Sequence, residues 1–172
     1  MMNDDPPGLY LHIPFCVTRC LYCDFYSDTR VSLAGRLLGC LAREEAPPGV
    51  NFSAFDSVYI GGGTPSATPA GSIARLMEGV GARFETVPGT EATLEANPDD
   101  ITAGRLAEYR GSGINRISLG VQSFDDGELK FLGRRHDAIS AAGAARAVRE
   151  AGIDNLGIDL IFGFAGHTVE SW

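Results

Sequence analysis

Tyr10-Leu11-His12-Ile13-Pro14-Phe15-Cys16-Val17-Thr18-Arg19-Cys20-Leu21-Tyr22-Cys23 decides how the rest of the chain is read. Its first half alternates apolar and polar residues and predicts a strand over 8–14, with Leu9, Leu11 and Ile13 on one face and Tyr10 and His12 on the other. Its second half sets three cysteines at C-x3-C-x2-C spacing in the loop after that strand. Three thiolates so placed can hold three irons of a [4Fe-4S] cubane and leave the fourth iron open for an exchangeable ligand, thiolate ligation being how proteins hold such clusters. A zinc site and unmetallated structural thiols are the other readings. Zinc ligands commonly come in two separated knuckles; no second knuckle occurs here, and His12 is the candidate fourth ligand. Cys40 lies apart, in a predicted helix, and reads as a small buried residue.

Strand and helix patterns alternate along the chain. Helices are predicted over 32–45 (stopped by Pro47-Pro48), 69–84, 102–112 and 138–151, and strands over 57–60, 91–96, 116–121 and 155–162. Strands alternating with helices of 10–15 residues imply βαβ units on a parallel sheet, an α/β fold. The later strands keep two faces. Leu94 and Ala96 oppose Glu95 and Asn97; Ile117, Leu119 and Val121 oppose Ser118 and Gln122; Leu156, Ile158 and Leu160 oppose Asp159. Parallel strands covered on both sides read as continuous apolar runs, so this alternation predicts helices on one face and a polar lumen on the other. Sites of such folds sit at the carboxyl ends of the strands.

Composition places the chain among ordinary globular proteins, with 172 residues, 44% hydrophobic and 21% charged. A net charge of −8 with no basic stripe argues against nucleic acid or an anionic membrane as the main partner. The acidic start, Met1 to Pro7, has no apolar core and is not a secretory signal. No apolar run approaches the ~20 residues needed to span a bilayer. The expected compartment is the cytoplasm, where clustered cysteines more often bind metal than form structural disulfides. About five βα units do not close a barrel, and Thr168 reads as the cap of a helix barely begun. The chain is therefore expected to be the incomplete core of a longer protein whose C-terminal domain lies beyond it, with an exposed fifth strand that disfavours solubility.

Other segments carry their own chemistry. Gly61-Gly62-Gly63-Thr64-Pro65 after the second strand lets backbone amides approach a bound group without Cβ obstruction, or simply forms a tight turn. It lacks the Gly-x-x-x-x-Gly-Lys pattern of a phosphate loop. Glu95 on the polar face can neutralise an ammonium or accept from ribose hydroxyls, or can be an ordinary ion-paired carboxylate. Arg134 taken alone reads as a salt-bridge residue.

The cysteine segment resembles the entry motif of radical S-adenosylmethionine proteins, and more narrowly the oxygen-independent coproporphyrinogen III oxidase family. Gly61–Ser66, Glu95-Ala96-Asn97-Pro98, Asn115–Ser123, Leu132–His136 and Asp159–Gly163 follow in that family's order and spacing. The resemblance implies a partial (β/α)6 barrel with the cluster at its mouth, ligated by Cys16, Cys20 and Cys23. It implies S-adenosylmethionine contacts at Tyr10, Tyr22, Gly62, Gly63, Thr64, Glu95, Gln122, Arg134 and Asp159, and it matches Trp172 without giving it a role beyond structure. The family's oxidases use a 5′-deoxyadenosyl radical to decarboxylate propionates of coproporphyrinogen III, as oxidoreductases supplied by an electron donor. Its HemW branch binds heme and passes it to recipient proteins. The oxidases carry a further cysteine two places after the third ligand; Phe25 stands there, which favours the heme-chaperone branch. Gly163-Phe164-Ala165-Gly166-His167-Thr168 departs from the family's Leu-Pro-Gly-Gln-Thr wording.

Overall fold

A computed structural model describes residues 6–45, 54–170 and 172. The elements in order are β1 (Gly8–Ile13), α1 (Ala34–Leu41), β2 (Phe55–Gly62), α2 (Ser72–Gly81), β3 (Thr86–Ala96), α3 (Ala103–Gly111), β4 (Arg116–Gln122), α4 (Asp126–Phe131), α5 (Ala138–Glu150) and β5 (Asn155–Leu160). The five strands form one parallel sheet in the order β1-β2-β3-β4-β5. Each crossover therefore steps the same way. Because βα crossovers are right-handed, helices that always step the same way gather on one face. The other face stays open, as in a barrel wall rather than a doubly wound sheet.

Side-chain parity decides which face is covered. Ile60, Leu94, Ile117, Leu119 and Val121 are fully buried against Ile73 and Leu76 of α2, Leu106 and Tyr109 of α3, and Val148 of α5. Each such aliphatic side chain stabilises the fold by about 1.5–3 kcal/mol relative to exposure. Helices α1 and α2 meet closely at Gly79, where a Cβ would lie 2.6 Å from Ala42. Three helices are capped by their own sequence: Thr102, Asp125 and Asp137 accept from the backbone N–H of Arg105, Glu128 and Ser140.

The structure corrects several sequence expectations. Strand β3 begins at Thr86, not 91, because Pro88-Gly89 bulges out of a strand instead of ending a loop: pairing passes from Phe55↔Thr86 to Ser57↔Glu91, with Gly89 at φ +84°. Helix α4 was not expected; its six residues are too few to show a period, although Asp125 three places before Glu128 is a capping signal. Helix α1 is shorter than 32–45 and follows a 3-10 turn, Val31–Leu33; the Pro47-Pro48 stop lies outside the described residues. Cys40 is exposed, not buried, since it sits about 200° around α1 from the buried Leu38. After Thr168 the described residues show a turn, with Trp172 N–H donating to Thr168 O at 3.2 Å. On β5 the two-faced pattern is only partly realised. Leu156 packs on the core, while Ile158 and Leu160 each remain 40% exposed at the sheet's edge.

No helix among the described residues is long and apolar enough to cross a membrane.

Candidate functional site

The open face is built in rows by strand register. His12 pairs with Gly61, Glu95 with Ser118, and Ser118 with Gly157. Glycine in this row leaves room for larger neighbours: a Cβ on Gly61 would lie 2.9 Å from the Tyr59 ring and 3.0 Å from the Glu95 carboxylate. One layer further toward the strand ends, Gly120 pairs with Asp159. The register then shifts, and Gln122 closes β4 at φ +73°.

The cysteine loop leaves β1 at this end and is tied back by its backbone. Asp28 N–H donates to Pro14 O at 2.7 Å, Cys16 N–H to Asp28 O at 3.0 Å, and Cys23 N–H to Cys20 O at 3.2 Å. The glycine-rich segment locks in beside it, Gly63 and Thr64 N–H donating to the carbonyls of Ile13 and Phe15 at 2.9 and 2.8 Å. A Cβ on Gly63 would stand 2.8 Å from both Cys16 Sγ and Phe15 O, so only glycine lets the two segments touch. Thr64 Oγ1 donates to Cys16 Sγ at 3.5 Å. Burial is the main cause that pushes the Cys16 thiol up, partly offset by Thr64. At the loop's far side, Arg30 pairs with Asp28 at 2.5 Å and holds its carboxyl at about 2.

Arg134 joins three elements. Its Nη1 donates to Cys20 Sγ (3.5 Å) and Tyr22 OH (3.2 Å), its Nη2 to Asn97 Oδ1 (2.6 Å) and Gly120 O (2.8 Å). The expected alternative, a salt bridge, does not occur at Arg134 among the described residues. Its neighbour Arg135 supplies ion pairs, at 3.4 Å to Asp99 and 3.6 Å to Asp100. His136 is buried and donates through Nε2–H to Val121 O at 2.9 Å, burial holding it toward the neutral form.

Glu95 accepts from Tyr59 OH at 2.8 Å and from Gly62 N–H at 3.1 Å. Desolvation nevertheless raises its carboxyl above the usual range, the two hydrogen bonds opposing it. Desolvation, then the Glu95 contact, drives Tyr59 to about 12. Ser118 Oγ donates to both Asp159 oxygens at 3.1 and 3.2 Å.

These groups surround a cavity of about 370 Å³, within the range of small-molecule sites. Cys16, Cys20, Cys23, Tyr22, Gly62, Gly63, Thr64, Glu95, Gln122, Arg134 and Asp159 all line it, so the structure brings together every expected site residue except Tyr10. Tyr10 is 56% exposed outside the cavity and bonds His12 Nδ1 at 2.9 Å. His12 does not join the thiols in the lining either. Asn97 and Ser118 line the cavity as supports for Arg134 and Asp159; parity puts them on the right face, but no local pattern links them to those partners. Tyr59 carries no motif and was missed.

The donor set suits an iron–sulfur cubane. Three thiols open onto one cavity beside backbone too close-packed for any Cβ, and thiolates are the ligands by which proteins hold such clusters.

A sheet wound in one direction, with a three-thiol loop after its first strand and a ligand-sized cavity at the strand ends, defines the cluster-bearing kind of α/β barrel protein. The profile of the Radical SAM superfamily matches residues 10–172, and the chain belongs to that superfamily. It is 38% identical over 175 residues to the heme chaperone HemW of Haemophilus influenzae and 36% identical over 176 residues to that of Escherichia coli, covering 96% and 99% of this chain. It spans 45% and 46% of those relatives, somewhat under half their length. Coproporphyrinogen III oxidase (HemN) from Escherichia coli superimposes with a TM-score of 0.85 at 31% identity, over 97% of this chain and 40% of that one. The cobalamin-dependent radical enzyme OxsB, at 22% identity and a TM-score of 0.60, shares the fold alone.

Proposed function

We propose that residues 1–172 form the core domain of a HemW-like heme chaperone of the cytoplasm, binding a [4Fe-4S] cluster and S-adenosylmethionine as its superfamily does. The observation that carries this is the convergence of Cys16, Cys20 and Cys23 with Gly63, Thr64 and Glu95 on one cavity. The three thiolates hold the cluster. The N–H groups of Gly62, Gly63 and Thr64 are engaged within the chain, so this segment offers acceptors, the glycine carbonyls and the Thr64 hydroxyl oxygen, to the ammonium at the amino-acid end of the cofactor, close beside Cys16. Glu95 takes its cationic or hydroxyl groups, with Tyr59 and the Gly62 amide keeping the carboxylate aimed. Asp159, oriented by Ser118, and the Gln122 carboxamide serve the sugar end, and Tyr22 packs alongside. When bound and reduced, the cluster–cofactor pair would supply one-electron cleavage of a carbon–sulfur bond, with the chain's part being to position the reactants and exclude water.

Phe25 and the HemW identities favour heme transfer, with recipient proteins and an electron donor as partners. The 0.85 TM-score to HemN favours a second reading, oxidative decarboxylation of coproporphyrinogen III. Anaerobic reconstitution should give brown protein with about four irons per chain; colourless protein with one zinc would overturn the cluster. Heme titration of the full-length protein, set against a coproporphyrinogen decarboxylation assay, then chooses. Saturable heme binding without carbon dioxide release supports the chaperone, and turnover supports the oxidase.

A further inference from the structure

Arg134 makes four polar contacts through its two terminal nitrogens. Those nitrogens carry four N–H groups, and all four find acceptors: the Cys20 thiol, the Tyr22 hydroxyl, the Asn97 amide oxygen and the Gly120 carbonyl. Nε–H is left, buried and without a partner among the described residues. Arg134 is thus held within the chain through both terminal nitrogens. Its shortest contact, 2.6 Å, is to Asn97 at the end of β3, which fixes the plane of the fork. The opposite corner then meets the sulfur of Cys20.

We infer that Arg134 is a clamp, oriented by Asn97 as a positioning residue, which fastens the cysteine loop to the ends of β3 and β4 and eases reduction of the metal centre bound through Cys20. This rests on the cluster reading above. One electron added from an external reductant makes the cluster one unit more negative and its thiolates better acceptors. An N–H···S hydrogen bond from a cation therefore favours the reduced state, since hydrogen bonds to the sulfurs are among the factors that set cluster potentials. Without Asn97, Nη2 keeps only the Gly120 carbonyl, the fork is free to turn, and the sulfur contact is lost.

The test uses the whole chain with two readouts, the potential after anaerobic reconstitution with iron and sulfide, and backbone amide exchange of the iron-free protein. Asn97→Ala should load the same iron as wild type but shift the one-electron reduction equilibrium roughly tenfold toward the oxidised form, a fall of 59 mV. In the iron-free chain it should speed exchange at the Cys23 amide about tenfold. Asn97→Asp, which retains an acceptor for Nη2, should restore that protection. Arg134→Lys, which keeps the charge but not the fork, gives the same two comparisons if Asn97→Ala does not fold. Unchanged potential at full iron loading, or unchanged exchange, would overturn the inference. Should wild type itself fail to load iron, the cluster reading falls, and the exchange experiment still decides the clamp.

Discussion

The Tyr59 hydroxyl donates a 2.8 Å hydrogen bond to Oε1 of Glu95 across 36 residues of sequence. It joins neighbouring strands on the open face and favours the charged carboxylate that burial opposes. Tyr59→Phe should therefore push Glu95 further up. Because hydrogen bonds to charged groups are worth about 1.5–3 kcal/mol, S-adenosylmethionine affinity should fall roughly tenfold or more at neutral pH, read by calorimetry of the reconstituted protein. An unchanged affinity would mean Glu95 is not a contact.

The same carboxyl sets a pH trend in the ligand-free chain. Its folded value lies above the ordinary 4.5, so the folded state holds the proton more tightly than the unfolded one. The stability it contributes is present below that ordinary value and is lost as pH rises through the folded value. Thermal melts of Glu95→Gln should lose this part of the slope, and equal slopes in both proteins would refute the burial argument.

Asp28 works in the opposite direction. Arg30 holds it at about 2, below its usual 3.8, so the loop anchor is intact above 3.8 and is lost as pH falls toward 2. Fluorescence-monitored acid titration of Asp28→Asn should lack this acid step, and the effect should shrink in high salt because the Arg30 side of the pair is exposed to solvent.

Serine at position 16, 20 or 23 should abolish most iron binding, measured as iron per chain and visible absorption. Cys40→Ser should leave it unchanged, because Cys40 is exposed on α1 away from the cavity. Iron retained in all three site variants would remove the cluster.

Gly63→Ala tests the close packing of two loops. Its Cβ would stand 2.8 Å from Cys16 Sγ and Phe15 O, and backbone cannot yield as a flexible side chain does. A loss of about 1–3 kcal/mol by denaturant unfolding is expected, together with reduced iron loading. Normal stability would show that the loops separate freely.

The parallel sheet and the cavity face were readable in the sequence because strand parity is local: Leu94 and Glu95 differ in direction whatever surrounds them. The cysteine triplet was readable for the same reason. What the sequence left hidden were relations set by register. Nothing within β2 singles out Tyr59 until pairing brings β3 alongside and carries its hydroxyl to Glu95. Asn97 likewise gains its role only when Arg134 arrives from the turn after α4. Tyr10 stands off the cavity lining for a different reason. A motif position can be right while the ring turns to a neighbour, here His12.

Gln122 alone among the described non-glycine residues has positive φ, at +73°, and its side chain lines the cavity. Left-handed backbone costs an ordinary L-residue about 1–2 kcal/mol. Glycine there would be more comfortable and should raise the melting temperature, yet it would delete the carboxamide. Robustness and ligand affinity thus compete at a single position. Screening for heat tolerance alone would tend to erode the binding site at Gln122, while selection for binding would keep a residue that the backbone would rather exchange.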